Sequence, residues 1–166
     1  SAISILNVFG YEHERIMHYH SDIVIQKNCE VIITETIKVY AKGYEIKRGI
    51  FRDIPLSYDY KGGSYHVDFE LLSVKKDGEE ESHHTDWLDN GVRIYAGDES
   101  VFLSEGIYNY EIKYRMNHVL LFYDNFDELY WNVNGNGWTF PIDSISATVH
   151  LPDGAKVSQY DGFTGR

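Results

Sequence analysis

The chain has 166 residues, a size that suits one domain whose core needs no disulfide or metal to hold it. Its formal net charge of -11 argues against nucleic acid as a partner and against direct docking on anionic lipid, because both depend on lysine and arginine. Aromatic residues make up 15% of the sequence, including 14 tyrosines, and this composition favours β-sheet.

Alternating apolar and polar residues predict short β-strands, with no sustained helical period and no internal repeat. After an N-terminal extension, residues 1–14, nine strands and one extended segment (48–55) are predicted at 17–25, 31–39, 48–55, 65–71, 92–94, 108–114, 129–133, 138–140, 145–151 and 157–165. The first two are expected to form a hairpin through a turn at 27–29. About nine short strands indicate an all-β fold, an antiparallel β-sandwich of Ig-like type that fills residues 15–166 as one domain.

Three segments lack clear alternation and are assigned from other features: a proline, a run of charge and a run of apolar residues. Residues 48–55 end in Pro55 and are predicted to form an edge segment, because proline cannot donate to an inner ladder. Residues 79–86 are polar, with three consecutive glutamates, and are predicted to be a solvated loop. The apolar run 119–123 fits either a buried strand or one helical turn.

Residues 127–142 are the densest mixture of aromatic, acidic and turn-forming residues in the chain. A strand-like start, an Asn-Gly turn that adopts positive φ cheaply, and a second aromatic strand stopped by Pro141 together predict a β-hairpin. Trp131 and Trp138 lie on its two strands. We expect both to be largely buried, because two opposed sheets need large side chains between them.

The acids that open this hairpin, Asp127 and Glu128, could be imagined as a glycosidase pair. Neighbouring strand residues point to opposite faces, however, whereas a glycosidase needs carboxyls that face one another about 5 to 10 Å apart. We expect instead that one acid pairs with an arginine of the segment 48–53, most favourably Arg52, in a structural role. The resulting structural motif or candidate site consists of Arg48, Arg52, Asp53, Asp127, Glu128, Trp131 and Trp138.

No metal or cofactor is expected from the remaining polar residues. The spacing of an EF-hand loop is met by Asn132, Asn134, Asn136, Gly137 and Asp143. Neutral amides replace three acids there and no flanking helices are predicted, so a turn explains these residues better than a calcium site. The single cysteine, Cys29, lies at a predicted turn and lacks the neighbours that would activate a nucleophile.

Two histidine groups are further candidate metal ligands. His18 and His20 share one face of the first predicted strand, and His83 and His84 lie near Asp86. Neither group has the spacing of a closed zinc site, so we interpret them as exposed strand and loop residues.

The sequence resembles a bacterial family known as DUF2207. The motifs that carry the resemblance occur in the same order over the segments 31–36, 48–55, 108–114, 127–138 and 151–154. It extends over about residues 15 to 165 and departs from the family pattern at Lys27-Asn28-Cys29, where an Asp-Gly turn is commoner.

The resemblance implies the N-terminal β-domain of a longer, predicted membrane protein, lying outside the cytoplasm and attached through segments beyond this sequence. The family has no known activity, so the resemblance implies no catalytic residue. No run of about 20 apolar residues is present in the sequence itself.

These observations favour a non-catalytic recognition or sensory module on the outer side of a bacterial membrane. A carbohydrate-binding module or carbohydrate-active enzyme is the first alternative, and it requires several aromatic residues exposed in a row. A structural spacer is the second, and it would show neither a groove nor an apolar patch. The negative charge predicts that a protein or envelope partner presents a basic face.

Overall fold

The computed structural model describes residues 12–60, 63–135 and 137–163. Over these residues the chain is all-β, as predicted, and no helix there is long and apolar enough to cross a membrane. The strands are β1 (Arg15–Ile25), β2 (Val31–Ala41), β3 (Gly49–Pro55), β4 (Ser57–Tyr60), β5 (Gly63–His66), β6 (Asp68–Lys76), β7 (Glu79–Glu80), β8 (His83–Leu88), β9 (Gly91–Gly97), β10 (Gly106–Asn117), β11 (Leu120–Phe122), β12 (Asp127–Leu129) and β13 (Ile145–His150).

The two larger sheets have six and three strands. The six-stranded sheet has the order β13-β1-β2-β10-β6-β7, and every neighbouring pair in it is antiparallel except β1 and β13, which run parallel. The three-stranded sheet has the order β3-β9-β8, and its pairs are antiparallel. Two small hairpins, β4-β5 and β11-β12, complete the strand pairings.

One hydrophobic core joins the two larger sheets. Ile33 and Ile112 from the six-stranded sheet belong to the same buried cluster as Ile50 and Ile94 from the three-stranded sheet. Alternation along β2 and β10 produces this arrangement, since every second side chain of a strand points to the same face. The predicted antiparallel all-β fold is therefore confirmed, whereas its Ig-like type stays a prediction.

The first strand shows how an irregularity shifts a core pattern. β1 and β2 form the predicted hairpin, with Cys29 in its turn at φ 67°. Their register shifts between Ile16 and His18, which places both Ile16 and Tyr19 in the core although they are three residues apart. Met17, which alternation placed with Tyr19, is only half-buried, because the bulge turns its side chain away from that face.

Several local predictions are wrong. Among the described residues of the segment 130–142 no strand follows β12, which pairs with β11 instead, and these residues join β1 through an isolated bridge between Ile16 and Ile142. Residues 79–86 are not a loop but contain β7 and most of β8. Residues 157–163 form no strand, and the rest of that predicted element lies outside the described residues.

Glu14 anchors the loop between β2 and β3. Its carboxylate accepts hydrogen bonds of 2.6 to 3.3 Å from the backbone N–H groups of the five residues 42–46. Burial alone would raise the pKa of Glu14, but these N–H donors outweigh it and hold the pKa below its usual value. The ionised carboxylate thus fixes a loop that would otherwise leave several donors unpaired.

Candidate functional site

A buried ion pair connects the two larger sheets. Arg52 reaches from β3 to Glu35 on β2, with Nε and Nη2 each donating a hydrogen bond of 2.8 Å to one carboxylate oxygen. The side chains are 2% and 0% exposed. The Tyr114 hydroxyl donates to the same carboxylate at 2.7 Å, and Nη1 of Arg52 donates to the Asp53 carbonyl at 2.5 Å. The predicted pairing of Arg52 with Asp127 or Glu128 is therefore wrong.

The charges of this cluster stabilise each other. Burial disfavours a charged guanidinium, but the adjacent Glu35 outweighs burial and raises the pKa of Arg52 above its ordinary value. Burial, followed by the negative charge of Glu35, raises the pKa of Tyr114 and of Tyr19 well above the usual phenol value. The cluster is thus an ion pair surrounded by neutral phenols.

Glu35 is a residue that the sequence prediction overlooked. It occupies the apolar parity of β2, between Ile33 and Ile37, both of which are fully buried. A glutamate on a core-facing parity needs a buried cation nearby, since an unpaired charge is too costly to bury. That rule, applied to the parity of β2, would have identified Glu35 as the partner of an arginine such as Arg52.

A glycine backbone closes over the guanidinium. Gly135 is buried and has φ +66°, and a Cβ atom placed on it would lie 2.0 Å from Nη1 of Arg52. The same segment is held by Trp138, whose indole N–H donates to the Asn134 carbonyl at 2.8 Å and whose ring meets Tyr19 edge-on at 6.2 Å. The glycine of the predicted Asn-Gly hairpin turn therefore packs against the ion pair.

Gly135→Ala is expected to destabilise the fold by roughly 2 kcal/mol or more. An alanine there carries the cost of a left-handed backbone conformation and also collides with the guanidinium, which cannot move without weakening its bonds to Glu35. Urea denaturation measures the effect. Gly154→Ala is the matched control, because Gly154 has a similar φ of +90° with nothing within 4 Å of the added atom. Equal losses for the two variants would contradict a specific contact with Arg52.

A second ion pair lies on the outer face of β3 and β9. Arg93 donates to the two carboxylate oxygens of Asp53 from Nε at 2.6 Å and from Nη2 at 2.7 Å. Its guanidinium also stacks over the Phe51 ring at 4.3 Å. The hydrogen bonds that Arg93 makes to Asp53 and Tyr95 raise the pKa of Arg93 above its ordinary value. Arg52 and Asp53 are adjacent on β3, and their side chains point to opposite faces of the sheet. Each therefore pairs with a different residue, Arg52 with Glu35 and Asp53 with Arg93.

The other predicted site residues lie apart from this pair of arginines. Arg48 is exposed and stacks over the Phe102 ring at 4.2 Å. Asp127 is exposed on β12, while Glu128 accepts a hydrogen bond of 3.2 Å from the Tyr123 hydroxyl. The structure therefore brings together Arg52, Asp53 and Trp138 and separates them from Arg48, Asp127 and Glu128.

Trp131 lines a small aromatic cleft. Both it and Trp138 pack against the core and keep only part of their surface exposed, as predicted for largely buried side chains. The cleft has a volume of about 20 Å³ and is lined by Tyr58, Tyr65, Val119, Tyr130 and Trp131. The indole N–H of Trp131 is buried and has no hydrogen-bond partner among the described residues. The cleft thus offers aromatic faces.

The candidate metal ligands have other roles. His18 and His20 stack at 6.4 Å and hydrogen-bond with Ser144 at 2.6 Å and Ser146 at 2.8 Å. Over residues 12–60, 63–135 and 137–163, no group of three or more His, Cys, Asp and Glu side chains is arranged to hold a metal ion. Asn136 of the EF-hand-like spacing lies outside the described residues.

Among the described residues, no strand pairs with the outer edge of β8. β7 forms the edge of the six-stranded sheet, and the chain crosses directly to β8, the edge of the three-stranded sheet. All six residues of β8 are exposed, including Trp87 at 72% and Leu88 at 41%. Next to it lies a shallow groove of about 170 Å³, lined by Asp53, Ile54, Pro55, Leu88, Asn90 and Gly137. A large exposed tryptophan on an uncovered edge is typical of an interaction surface.

Comparisons with known proteins place this structure in a family. The uncharacterized protein YciQ of Escherichia coli (strain K12) is 32% identical over 159 residues, which cover 94% of this chain and 25% of that protein. The chain therefore spans about a quarter of the length of this curated relative.

The solved structures that match are remote. A yeast LTA4 hydrolase has a TM-score of 0.46 and 12% identity over 66% of this chain and 15% of its own. The Legionella pneumophila aminopeptidase A has a TM-score of 0.43 and 10% identity over 72% of this chain and 13% of its own. Similarity at this level says nothing about what this chain binds or catalyses. The family model described as the N-terminal domain of a predicted membrane protein, DUF2207, matches residues 15–165, and the chain belongs to that family.

Proposed function

We propose that this chain is a non-catalytic recognition module that its parent membrane protein displays outside the cytoplasm. The observation that carries the proposal is the edge of the three-stranded sheet, where β8 exposes all of its residues and Trp87 is 72% exposed. Membership of a family of predicted membrane proteins supports the attachment to a membrane. A sensory role would use the same surface, with binding as its first step.

Two observations favour recognition over a purely structural spacer or a catalyst. A spacer has no need of an exposed apolar edge beside a groove, and this chain has both. The buried charges Arg52 and Glu35 bind each other inside the core, out of reach of a substrate, so their arrangement suits stability better than chemistry.

The test is capture of a partner from bacterial envelope extract by this chain at low and high salt. We expect specific capture that weakens as salt rises, because a net charge of -11 favours a basic face and the Debye length falls below about 10 Å above 0.1 M salt. Capture should be lost with Trp87→Ala and kept with Tyr44→Ala, whose side chain is equally exposed, at 71%, in the loop between β2 and β3. Failure to enrich any protein over a control column would favour the spacer.

The aromatic cleft supports a second candidate function, carbohydrate binding. Sugar rings stack on aromatic faces, and aromatic side chains line this cleft. Among the lining residues only Tyr130 is strongly exposed, at 71%, so the cleft offers a short platform. A glycan array decides between the two functions, because specific glycan binding that Tyr130→Ala abolishes would select the carbohydrate reading.

A further inference from the structure

We propose that the free edge of β8 accepts an extended, basic segment of a partner protein as an added β-strand. This inference rests on the proposed recognition function and names both the surface and the kind of partner. Strand addition of this type draws affinity from backbone hydrogen bonds and specificity from alternate side chains. It requires an edge strand whose outward backbone groups are free.

The hydrogen-bond register identifies those groups. The Gly97 N–H donates to the Ser82 carbonyl at 2.8 Å, so residues 82 and 97 form a hydrogen-bonded pair of the antiparallel ladder. Such pairs alternate with non-hydrogen-bonded pairs along a ladder. With His83 opposite Ala96 and Trp87 opposite Val92, the residues of β8 that turn their backbone groups away from β9 are His83, Thr85 and Trp87. None of these three N–H groups has a partner in the part of the chain that the structure describes.

The opposite edge of the same sheet is blocked at Asp53 and Pro55. The Leu56 N–H donates to the Asn90 carbonyl, so by the same alternation Asp53 and Pro55 turn outward on β3. Pro55 has no N–H to offer, and the Asp53 carbonyl already accepts a bond from Arg52. Cβ atoms placed on Gly135 and Gly137 would lie 2.0 Å from Arg52 Nη1 and 3.7 Å from an Asp53 carboxylate oxygen, so both glycines lie close to β3 side chains.

The charge around the open edge selects the occupant. Residues 79–90 contain five acids and no lysine or arginine; Asp86 lies on β8 itself, and Glu81 is already paired with Lys76. A second copy of this chain would bring a second net charge of -11 to this edge, which opposes its docking. The proposed occupant is instead a segment that alternates Lys or Arg with apolar residues. Its basic side chains all lie on one face and can contact the acids.

The apolar side chains of such a segment would meet Trp87. Trp87 lies opposite Val92, which lies opposite Ile54, so all three side chains are on the same face of the sheet. Ile54 and Val92 are buried in the core, whereas Trp87 is 72% exposed. An apolar residue placed beside it on an added strand would cover this ring, and cross-strand pairs that contain an aromatic side chain are among the most stabilising.

The probe is a synthetic peptide of the same six-residue length as β8 that alternates lysine with valine, added to the isotopically labelled chain. Amide shifts and hydrogen exchange are followed by NMR. We expect shifts and protection at His83, Thr85 and Trp87, and no effect from a peptide in which glutamate replaces lysine. Thr85→Pro removes one outward N–H without touching the ladder to β9, and it should weaken peptide binding about tenfold.

A melting temperature of Thr85→Pro equal to that of the wild type shows that the fold of the variant is intact. Should that variant unfold, Trp87→Ala, compared with Tyr44→Ala, tests the same edge without a backbone change. Shifts elsewhere on the chain, equal binding of the acidic peptide, or self-association through β8 would each overturn the inference. If only the strand-addition inference is wrong, the Thr85→Pro variant still binds an envelope partner. If the proposed recognition function is wrong, the chain binds no envelope partner at all.

Discussion

Arg52→Ala is expected to lower the free energy of unfolding by about 3 to 5 kcal/mol, since it strands the carboxylate of Glu35 in the core. The Tyr114 hydroxyl alone cannot replace the two hydrogen bonds that Arg52 donates. At about 2 to 4 °C per kcal/mol for a domain of this size, the melting temperature should fall by roughly 10 °C. Thermal denaturation followed by circular dichroism measures it.

Two further variants test whether the loss of stability comes from the stranded buried charge and not simply from removing an arginine. Arg48→Ala removes an exposed arginine on the same segment of the chain and should change the melting temperature little. The double variant Arg52→Met with Glu35→Leu removes both charges and should recover most of the lost stability, because apolar residues of similar volume replace a buried pair at little cost. Equal melting of the Arg52→Ala and Arg48→Ala variants would refute the structural role of the buried pair.

Glu14→Gln is expected to destabilise the chain by about 2 kcal/mol at neutral pH, because an amide oxygen accepts less strongly than a carboxylate and its NH₂ group faces N–H donors. The pKa of Glu14 is lower in the folded state than in the unfolded state. Its contribution is therefore complete above the unfolded value of about pH 4.3 and is lost as pH falls through the folded value.

Denaturation of wild type and Glu14→Gln between pH 7 and pH 2 checks both the size and the sign. The difference between them should shrink below about pH 4.3 as Glu14 takes up a proton. Glu12→Gln is the control, since Glu12 is exposed two residues away. A difference that stays constant down to pH 2 would show that the charge of Glu14 does not hold the loop.

The sequence predicts best where a strand has one buried face. Alternation located β2 and β10 because each places its apolar residues on a single face of the six-stranded sheet. It failed for β8, whose residues are exposed on both faces and follow no alternation. That strand exists because β9 pairs with it, and pairing between segments is not visible in the periodicity of one of them.

The candidate site divides in the same way. The apolar neighbours of Arg48 and Arg52 pointed to an ion pair, but Glu35 and Arg93, the partners of Arg52 and Asp53, lie 17 and 40 residues away along the chain. Packing of one sheet on the other brings Arg52 to Glu35, and the register of β3 with β9 brings Asp53 to Arg93; no local pattern encodes either. The turn chemistry at Gly135 was correctly identified, but its positive φ brings the backbone close to Arg52 without forming a hairpin.

The parallel pairing of β1 with β13 has a consequence for the order of folding. Tyr19 lies opposite Ile145, and His18 hydrogen-bonds with Ser144, which is 126 residues later. During synthesis β1 can pair with β2 early, yet its other edge stays open until nearly the whole domain has emerged. Contacts at such separation carry a large loop-closure entropy and slow the folding of β proteins. Among the strands that the structure describes, β1 is thus made first but is among the last to be completed.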